Sequence, residues 1–471
     1  MSDAGDPRWR QRPYRREGSA LRFPRDEGWH RLFEGPEGRR LTNPSMAEME
    51  WVYLNAHVEE RGGSGRRFVV FAAYFTQWLR FLVVRAWDRE DRYLGAWTGT
   101  AFGRLHARED RLDVAFTHDG GVDAWVGGEG FDSKLDATDD AGRFAVSLSI
   151  TNTREPYECG GAGFLPFARS GWFYYWSLTR LAVTGALTLT DAKGASERVA
   201  VDGLGWFDHQ WGDFRVTPFR VPGFEEYEWI SVQLDSGEDL MITTVWDRHG
   251  ETPSLEAFGG VGIVRGDDDW RRVIGPGYVR RTRFWRSIEQ QAVYAAGWRV
   301  TVADWDLDLT ITPRHDDQLT PIFDDTAKGL GRAALRGLFG PALNLLGAFW
   351  EGSCRVEGTV EGRPVKGFAF AELVKRYPSP KVTLRVAREE VGFTVIAWRV
   401  EGWDPECPLR YRVMVESPDG RVLWVKAGLD VAVCVLDDAT IPRGADLVVR
   451  VVAASDDGVV RGEATEAIVL R

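Results

Sequence analysis

Short runs of β-branched and aromatic residues, separated by Gly- and Asp-rich turns, recur along most of the chain. Examples are Arg67–Phe75, Leu79–Trp87 and Phe144–Thr151 in the first half, and Glu226–Leu234 and Lys366–Val374 in the second. Runs of this length with turn residues between them are typical of antiparallel strands. No βαβ alternation and no Gly-rich phosphate loop before a helix is visible, which argues against a Rossmann or P-loop enzyme. The pattern therefore predicts an all-β protein built from closed barrels or sandwiches.

One segment, residues 326–349, departs from the strand pattern. Its apolar residues recur at helical spacing, at Leu330, Ala334, Leu338, Leu345 and Phe349. Gly residues and Pro341 interrupt it, so we expect a short amphipathic helical insert rather than one long helix. Such an insert could pack on a barrel, act as a mobile lid, or contact a membrane surface.

Shifts in composition divide the chain into four segments. Residues 1–45 are rich in Arg, Pro and Gly, which predicts an irregular, basic, solvated arm. Residues 46–214 and 215–377 are both rich in strands and turns. After the linker Tyr377–Pro380, residues 381–471 form a unit of alternating strands that resembles a fibronectin type III or immunoglobulin-like sandwich. Such a module usually binds a partner or separates other domains, and nothing in its sequence suggests catalysis.

Composition adds an unusual aromatic content to this picture. The 471 residues include 21 Trp, 25 Phe and 12 Tyr, which favours either a Trp-rich barrel core or an aromatic cavity for an apolar ligand. The net charge of −11 disfavours nucleic acid as a partner. The first residues are locally basic and could touch an anionic membrane surface.

Cysteines and targeting signals narrow the class further. Cys159, Cys354, Cys407 and Cys434 show no CxxC pairing, so we expect no zinc site, and Cys407 and Cys434 could either form a disulfide or stay free. The acidic and His residues between 306 and 317 lack a ligand spacing, so no metal ion is expected there. The N-terminus lacks an apolar signal core, and no long apolar run is present. We therefore expect a cytoplasmic protein, with peripheral membrane association as an alternative.

The densest polar and aromatic cluster is WFDHQWG at Trp206–Gly212, between the aromatic run Phe173–Arg180 and Tyr227–Trp229. Burial among aromatic rings raises the pKa of a carboxyl group, so Asp208 could stay protonated near neutral pH. A neutral acid beside aromatic faces is what protonation of a carbon–carbon double bond requires, because the rings stabilise the developing cation. The alternative is a buried Asp208–His209 pair that only satisfies its own hydrogen bonds.

These motifs resemble those of the carotenoid hydratase (hydroxyneurosporene synthase) and AttH-like family. The segments that carry the resemblance are Glu50–Leu54, Phe173–Arg180, Trp206–Gly212, Tyr227–Met241, Trp350–Gly352 and Gly367–Leu373. The resemblance implies two consecutive lipocalin-like barrels, over residues 46–214 and 215–377, and a cofactor-independent reaction. It places Asp208 at the position of the hydratase acid. Trp206 stands where hydratases of the family tend to carry Tyr, and Trp176 is the candidate ring beside the cation.

The sequence therefore predicts an enzyme that uses no cofactor and no metal and acts on an apolar isoprenoid or polyene. Asp208 would be the general acid that begins hydration, isomerisation or cyclisation, and His209 would orient or reprotonate it. The residues expected to shape the pocket are Tyr174, Trp176, Trp206, Trp211, Tyr227 and Trp229. Two other functions remain open: a non-catalytic carrier of a lipid or terpenoid, and a pericyclase that works through pocket shape.

Overall fold

The structure is a computed structural model, and its described residues form an almost purely β fold. They are 7–30, 49–75, 78–167, 171–191, 193–213, 226–246, 259–266, 269–288, 290, 292–321, 348–389, 392–401, 403, 408–440 and 446–469. Within these ranges the only helical elements are three-residue 3₁₀ turns, at Arg8–Arg10, Arg25–Glu27, Glu129–Phe131, Cys159–Gly161, Pro276–Tyr278, Ala303–Trp305 and Asp438–Thr440. The all-β prediction is confirmed.

Thirteen antiparallel strands form the first sheet, which curls into a nearly closed barrel. They are β1 Met49–Glu60, β2 Arg67–Phe75, β3 Leu79–Trp87, β4 Tyr93–Phe102, β5 Arg104–Ala107, β6 Asp113–His118, β7 Gly121–Gly127, β8 Ser133–Thr138, β9 Phe144–Asn152, β10 Tyr157–Glu158, β11 Phe164–Phe167, β12 Gly171–Thr190 and β13 Ser196–Asp213. The main path runs β4-β3-β2-β1-β13-β12-β9-β8-β7-β6-β5. Gly103 joins the two edge strands, and a Cβ there would lie 2.2 Å from the Thr117 carbonyl oxygen, so the close approach needs Gly.

The interior of this barrel is filled by side chains, including several from the N-terminal segment. Trp9, Leu21, Phe23 and Trp29 are buried in the same cluster as the inward-facing residues of β1, β2 and β9. Phe23 packs edge-on against Trp176, with ring centroids 5.0 Å apart. The expectation of a solvated arm is wrong for residues 7–30, because these apolar side chains plug the barrel.

Ten strands form the second sheet, which is a half-barrel. They are β14 Glu226–Leu234, β15 Asp239–Trp246, β16 Gly260–Val264, β17 Trp270–Ile274, β18 Val279–Ser287, β19 Ala292–Val302, β20 Leu307–Pro313, β21 Leu319–Pro321, β22 Ala348–Val360 and β23 Arg363–Leu373. The main path runs β17-β16-β15-β14-β23-β22-β20-β19-β18. Its concave side holds a core of its own that includes Trp246, Trp298 and Trp350.

The two sheets pack against each other through a third buried cluster. Residues from β1–β3 and β12–β13 meet residues from β14, β15, β22 and β23 there. Strands such as β2 and β14 are therefore buried on both faces, which explains their nearly continuous apolar sequences. Polar side chains also bridge the sheets: Gln233 Nε2 donates to the Gly205 carbonyl at 2.9 Å, and Asp239 accepts from Arg180 at 2.7 Å.

The C-terminal unit is a small sandwich of a three-stranded and a four-stranded sheet. Its strands are β24 Lys381–Glu389, β25 Phe393–Glu401, β26 Arg410–Glu416, β27 Val422–Leu429, β28 Val433–Asp437, β29 Asp446–Ala454 and β30 Arg461–Val469. Trp398 and the inward residues of β26 and β29 form its core. Asp457 fixes the unit to the second sheet by accepting from the Phe284 backbone N–H at 2.6 Å. The fibronectin type III assignment stays a prediction.

Several sequence predictions concern residues that lie outside the described ranges. Residues 322–347, which contain most of the predicted amphipathic insert, lie outside the described residues, as do the predicted boundary at residues 214–215 and Cys407. Cys159, Cys354 and Cys434 are buried free thiols. Among the helices that the structure describes, none is long and apolar enough to cross a membrane.

Candidate active site

The WFDHQWG segment lies within strand β13, at the centre of the first sheet, and its residues alternate between the two faces. Successive side chains of a strand point to opposite sides. Trp206 therefore joins the cluster between the sheets, whereas Phe207 and Trp211 join the core inside the barrel. Asp208 lies on the face of Trp206, and His209 lies on the face of Trp211.

Asp208 is held between the sheets by hydrogen bonds from its own strand and from the neighbouring strand β12. Its Oδ1 accepts from Ser177 Oγ at 2.5 Å and from Trp206 Nε1 at 2.8 Å. Tyr175 also hydrogen-bonds the carboxyl group. Its cross-strand neighbours are Ser177 on β12 and Tyr53 on β1. The side chain is thus oriented by its partners and removed from bulk water, with 3% of its surface exposed.

Two further carboxyl groups reach this region from the second sheet. Glu351 on β22 and Glu372 on β23 are directly opposite each other in the strand pairing. Cross-strand neighbours project from the same face and lie close together. Glu372 accepts a hydrogen bond from the phenol of Tyr227 on β14. Trp229, also on β14, is the other cross-strand neighbour of Glu372, and its ring lies 6.0 Å from that of Trp206.

Burial makes all three carboxyl groups weak acids. Desolvation raises the pKa of Asp208 to about 7, although the hydrogen bonds from Ser177, Trp206 and Tyr175 oppose it. Desolvation and the charge of Asp208 raise the pKa of Glu372 to about 7, against the hydrogen bond from Tyr227. Desolvation and the nearby Glu372 raise the pKa of Glu351 well above its usual value. Carboxyl groups of this kind can carry or accept a proton near neutral pH.

Buried polar atoms without hydrogen-bond partners lie near these carboxyl groups. Among the described residues, Trp229 Nε1 and Glu351 Oε2 are buried and lack a hydrogen-bond partner. Burial raises the pKa of the Tyr53 phenol, and the carboxyl groups of Glu351, Glu372 and Asp208 raise it further. The phenol therefore lies near all three. Buried polar groups are nearly always satisfied in folded proteins. A concentration of unsatisfied groups beside weak acids is a mark of a functional site.

His209 belongs to a different network on the barrel side of β13. Its Nε2 lies 2.8 Å from Glu50 Oε1, and His30 Nδ1 lies 2.9 Å from the same oxygen. Trp211 stacks on His30 with ring centroids 3.9 Å apart. The predicted pairing of His209 with Asp208 is therefore wrong, because adjacent residues of one strand face opposite ways. His209 instead helps Glu50 to anchor the N-terminal segment.

The predicted pocket residues divide between the same two faces. Trp206, Tyr227 and Trp229 lie between the sheets with Asp208. Trp176 and Trp211 are in the barrel core, and the partly buried Tyr174 packs against them. Trp176 Nε1 donates to the Asp26 carbonyl at 3.0 Å, so it packs against the N-terminal segment rather than against Asp208. Its predicted position beside the cation is not supported by this arrangement.

Sequence reasoning missed five residues of the site: Tyr53, Tyr175, Ser177, Glu351 and Glu372. Alternation on β12 was the available signal, because Tyr175 and Ser177 share a face that excludes Trp176. The phenols of Tyr53 and Tyr175 also bear on the position of Trp206. Phenols reach the Asp208 face from Tyr53 on β1 and Tyr175 on β12, while the indole of Trp206 donates to Asp208 directly.

Metal-ligating side chains converge at one place among the described residues, away from Asp208. Donor atoms of His30, Glu50 and His209 lie within 4.8 Å of one another. His30 Nδ1 and His209 Nε2 both hydrogen-bond Glu50 Oε1, so these three donor atoms already engage one another, while His209 Nδ1 is buried without a partner among the described residues. The acidic residues near 306–317 form ion pairs instead, with Arg299 bonded to Asp308 and Arg283 bonded to Asp316.

Solved structures and a family model are similar to this chain. A crystal structure from Nitrosomonas europaea described as an AttH protein is 20% identical, with 76% of this chain and 98% of that chain covered and a TM-score of 0.49. Kievitone hydratase from Nectria haematococca is 18% identical, with 73% and 93% covered and a TM-score of 0.50. No curated protein matches the chain. The model of the AttH-like family matches residues 14–376, which include both sheets and most of the N-terminal plug. The chain belongs to the AttH-like family.

Proposed function

We propose that this protein is a cofactor-independent enzyme that protonates a carbon–carbon double bond of an apolar isoprenoid or polyene. Asp208 is the acid, and the products are a hydrated or an isomerised substrate. The observation that carries the proposal is the position of Asp208. It is a buried carboxyl group oriented by Ser177 and Trp206, and it faces a cluster of aromatic rings between the sheets.

The chemistry follows from this environment. A protonated carboxyl group transfers its proton to one alkene carbon and leaves a cation on the other. The carboxylate left on Asp208 is stabilised by its N–H and O–H donors, while the faces of Trp206, Trp229 and Tyr53 stabilise the cation. Water then captures the cation to give an alcohol, or a proton leaves to give a shifted double bond. Both the family resemblance and the hydratase among the similar structures support this reaction class.

Among the described residues, the interior of the first barrel leaves no room for an isoprenoid ligand. A carrier that holds its ligand there is therefore not consistent with the structure. The barrel interior is filled by the N-terminal segment, and the cavity beside Trp176 and Phe207 measures only about 10 Å³. That volume holds at most one water molecule, whereas an isoprenoid needs several hundred Å³. The proposed ligand is therefore an apolar small molecule at the Asp208 face. Delivery from a membrane surface to a cytoplasmic enzyme is part of the proposal.

The direct test is product analysis with purified protein and the acyclic carotene lycopene, followed by a panel of shorter terpenoids. Mass spectrometry of the extract separates the functions. A product heavier by one water, formed in excess over protein, supports hydration. A product of unchanged mass but different retention supports isomerisation or cyclisation. Recovery of every compound unchanged, at no more than one equivalent bound per protein, would overturn the enzyme in favour of a carrier.

A further inference from the structure

The second sheet places the carboxyl group of Glu372 near Asp208 of the first. Resting on the proposed function, we infer that Glu372 is a second catalytic residue, which takes a proton from the attacking water while Asp208 protonates the alkene. The acid lies on β13 and the base on β23, so the substrate is held between the two sheets.

The position of Glu372 carries this inference. It faces Glu351 directly across the β22–β23 pair, and two carboxylates opposite each other repel. One proton shared by the pair removes the repulsion. The Tyr227 hydroxyl donates a hydrogen bond to Glu372, which favours the ionised form of that carboxyl group. Glu351 Oε2 has no partner among the described residues, so Glu351 is the better place for the proton.

Electrostatics agree with this division. The pKa of Glu351 is raised well above its usual value, whereas the pKa of Glu372 is raised to about 7. Near neutral pH, Glu351 is thus neutral and Glu372 is partly ionised. Asp208, with a pKa of about 7, is partly protonated. An acid and a base of similar pKa on opposite sides of a site are the pair that addition of water requires.

The proton inventory balances without a further reactant. The Asp208 proton forms the new C–H bond, and the π electrons of the alkene supply that bond. Water forms the C–O bond with the cation, and its released proton goes to the Glu372 carboxylate. The enzyme then holds an ionised Asp208 and a protonated Glu372. Return of one proton from Glu372 to Asp208 restores the starting protonation states of the two groups. The Tyr53 phenol lies near both of them.

The test compares Glu372→Gln with wild type on lycopene in D₂O, with hydration and deuterium incorporation measured together. Without the base, protonation can still occur and reverse through Asp208. We expect hydration to fall by about 100-fold or more, while deuterium still enters the terminal isoprenoid group. Glu372→Asp, which keeps a carboxylate, should retain part of the hydration. Glu357→Gln is the matched control, because Glu357 is exposed on the neighbouring strand β22.

The outcomes separate the two ideas. Hydration at the wild-type rate in Glu372→Gln would overturn the role of Glu372 and leave Asp208 chemistry intact. Loss of both hydration and deuterium incorporation in a folded Glu372→Gln protein would also overturn it, because Glu372 would then serve protonation or structure. A wild-type protein that neither hydrates nor labels any compound of the panel would remove the proposed function itself.

Discussion

At the scale of single residues, environment decides which polar groups can carry a reaction. Asp208 and His209 are neighbours in the chain, but the first is oriented by Ser177 and Trp206 between the sheets. The second bonds Glu50 inside the barrel, where burial lowers the pKa of its ring. His209 is therefore a neutral structural residue. Asp208 has the pKa of about 7 that a general acid needs.

Trp206 adjusts the strength of this acid. Its indole N–H bonds the Asp208 carboxyl group and lowers the pKa, so Trp206→Phe should raise that pKa. Because Asp208 acts in its protonated form, activity falls as pH rises through the pKa. We expect the alkaline limb of the kcat/KM profile to move to higher pH by about one pH unit. Trp211→Phe, on the opposite face of β13, should leave the limb in place. An identical shift in both variants would contradict this account.

At the scale of elements, the strands could be predicted from the sequence. The side of the sheet to which each side chain points could be predicted only in part. Arg67–Phe75, Leu79–Trp87 and Glu226–Leu234 agree with β2, β3 and β14 residue for residue. Their boundaries are visible because turn residues flank continuous apolar runs. The barrel plug was not predicted, because the few aromatic residues of an Arg- and Pro-rich segment carry no strand or helix period. The pairing of Glu351 with Glu372 was also hidden, since register between strands is a tertiary property.

The plug should contribute measurably to stability. Phe23 is buried against Phe131 and Trp176. Truncation of a buried Phe to Ala removes apolar contacts and leaves a cavity, so Phe23→Ala should lower the free energy of unfolding by about 3–5 kcal/mol. Urea unfolding followed by Trp fluorescence measures this loss. Glu17→Ala, at an exposed position in the same segment, should change stability by less than about 0.5 kcal/mol. Equal stability of the two variants would contradict the burial of the plug.

At the scale of the whole molecule, the site exists only because two sheets meet. Asp208 comes from the first sheet, and Glu351 and Glu372 come from the second, so neither sheet alone could form the constellation. The segments that carry the family resemblance contain Asp208, Glu351 and Glu372, at Trp206–Gly212, Trp350–Gly352 and Gly367–Leu373. They could not show that the carboxyl groups lie close together, because that depends on how the sheets pack.

Asp239 should be central to the contact between the sheets. It is buried on β15 and accepts from Arg154 at 2.6 Å and from Arg180 at 2.7 Å. Loss of its charge leaves two partly buried guanidinium groups without their partner. We expect Asp239→Asn to lower the free energy of unfolding by about 3 kcal/mol. Asp308→Asn breaks a more exposed pair with Arg299 and should cost less than about 1 kcal/mol. Denaturant melts of both variants provide the comparison, and a larger loss in Asp308→Asn would refute it.

The central claim is that Asp208 supplies the proton for the reaction. Its most direct test is the turnover rate of wild type, Asp208→Asn and Asp202→Asn on whichever panel compound is converted. Asn keeps the shape of the side chain but has no acidic proton, and Asp202 is an exposed residue of the same strand. We expect a loss of about 100-fold or more in Asp208→Asn, with folding retained, and no loss in Asp202→Asn. Wild-type turnover in a folded Asp208→Asn protein would contradict it.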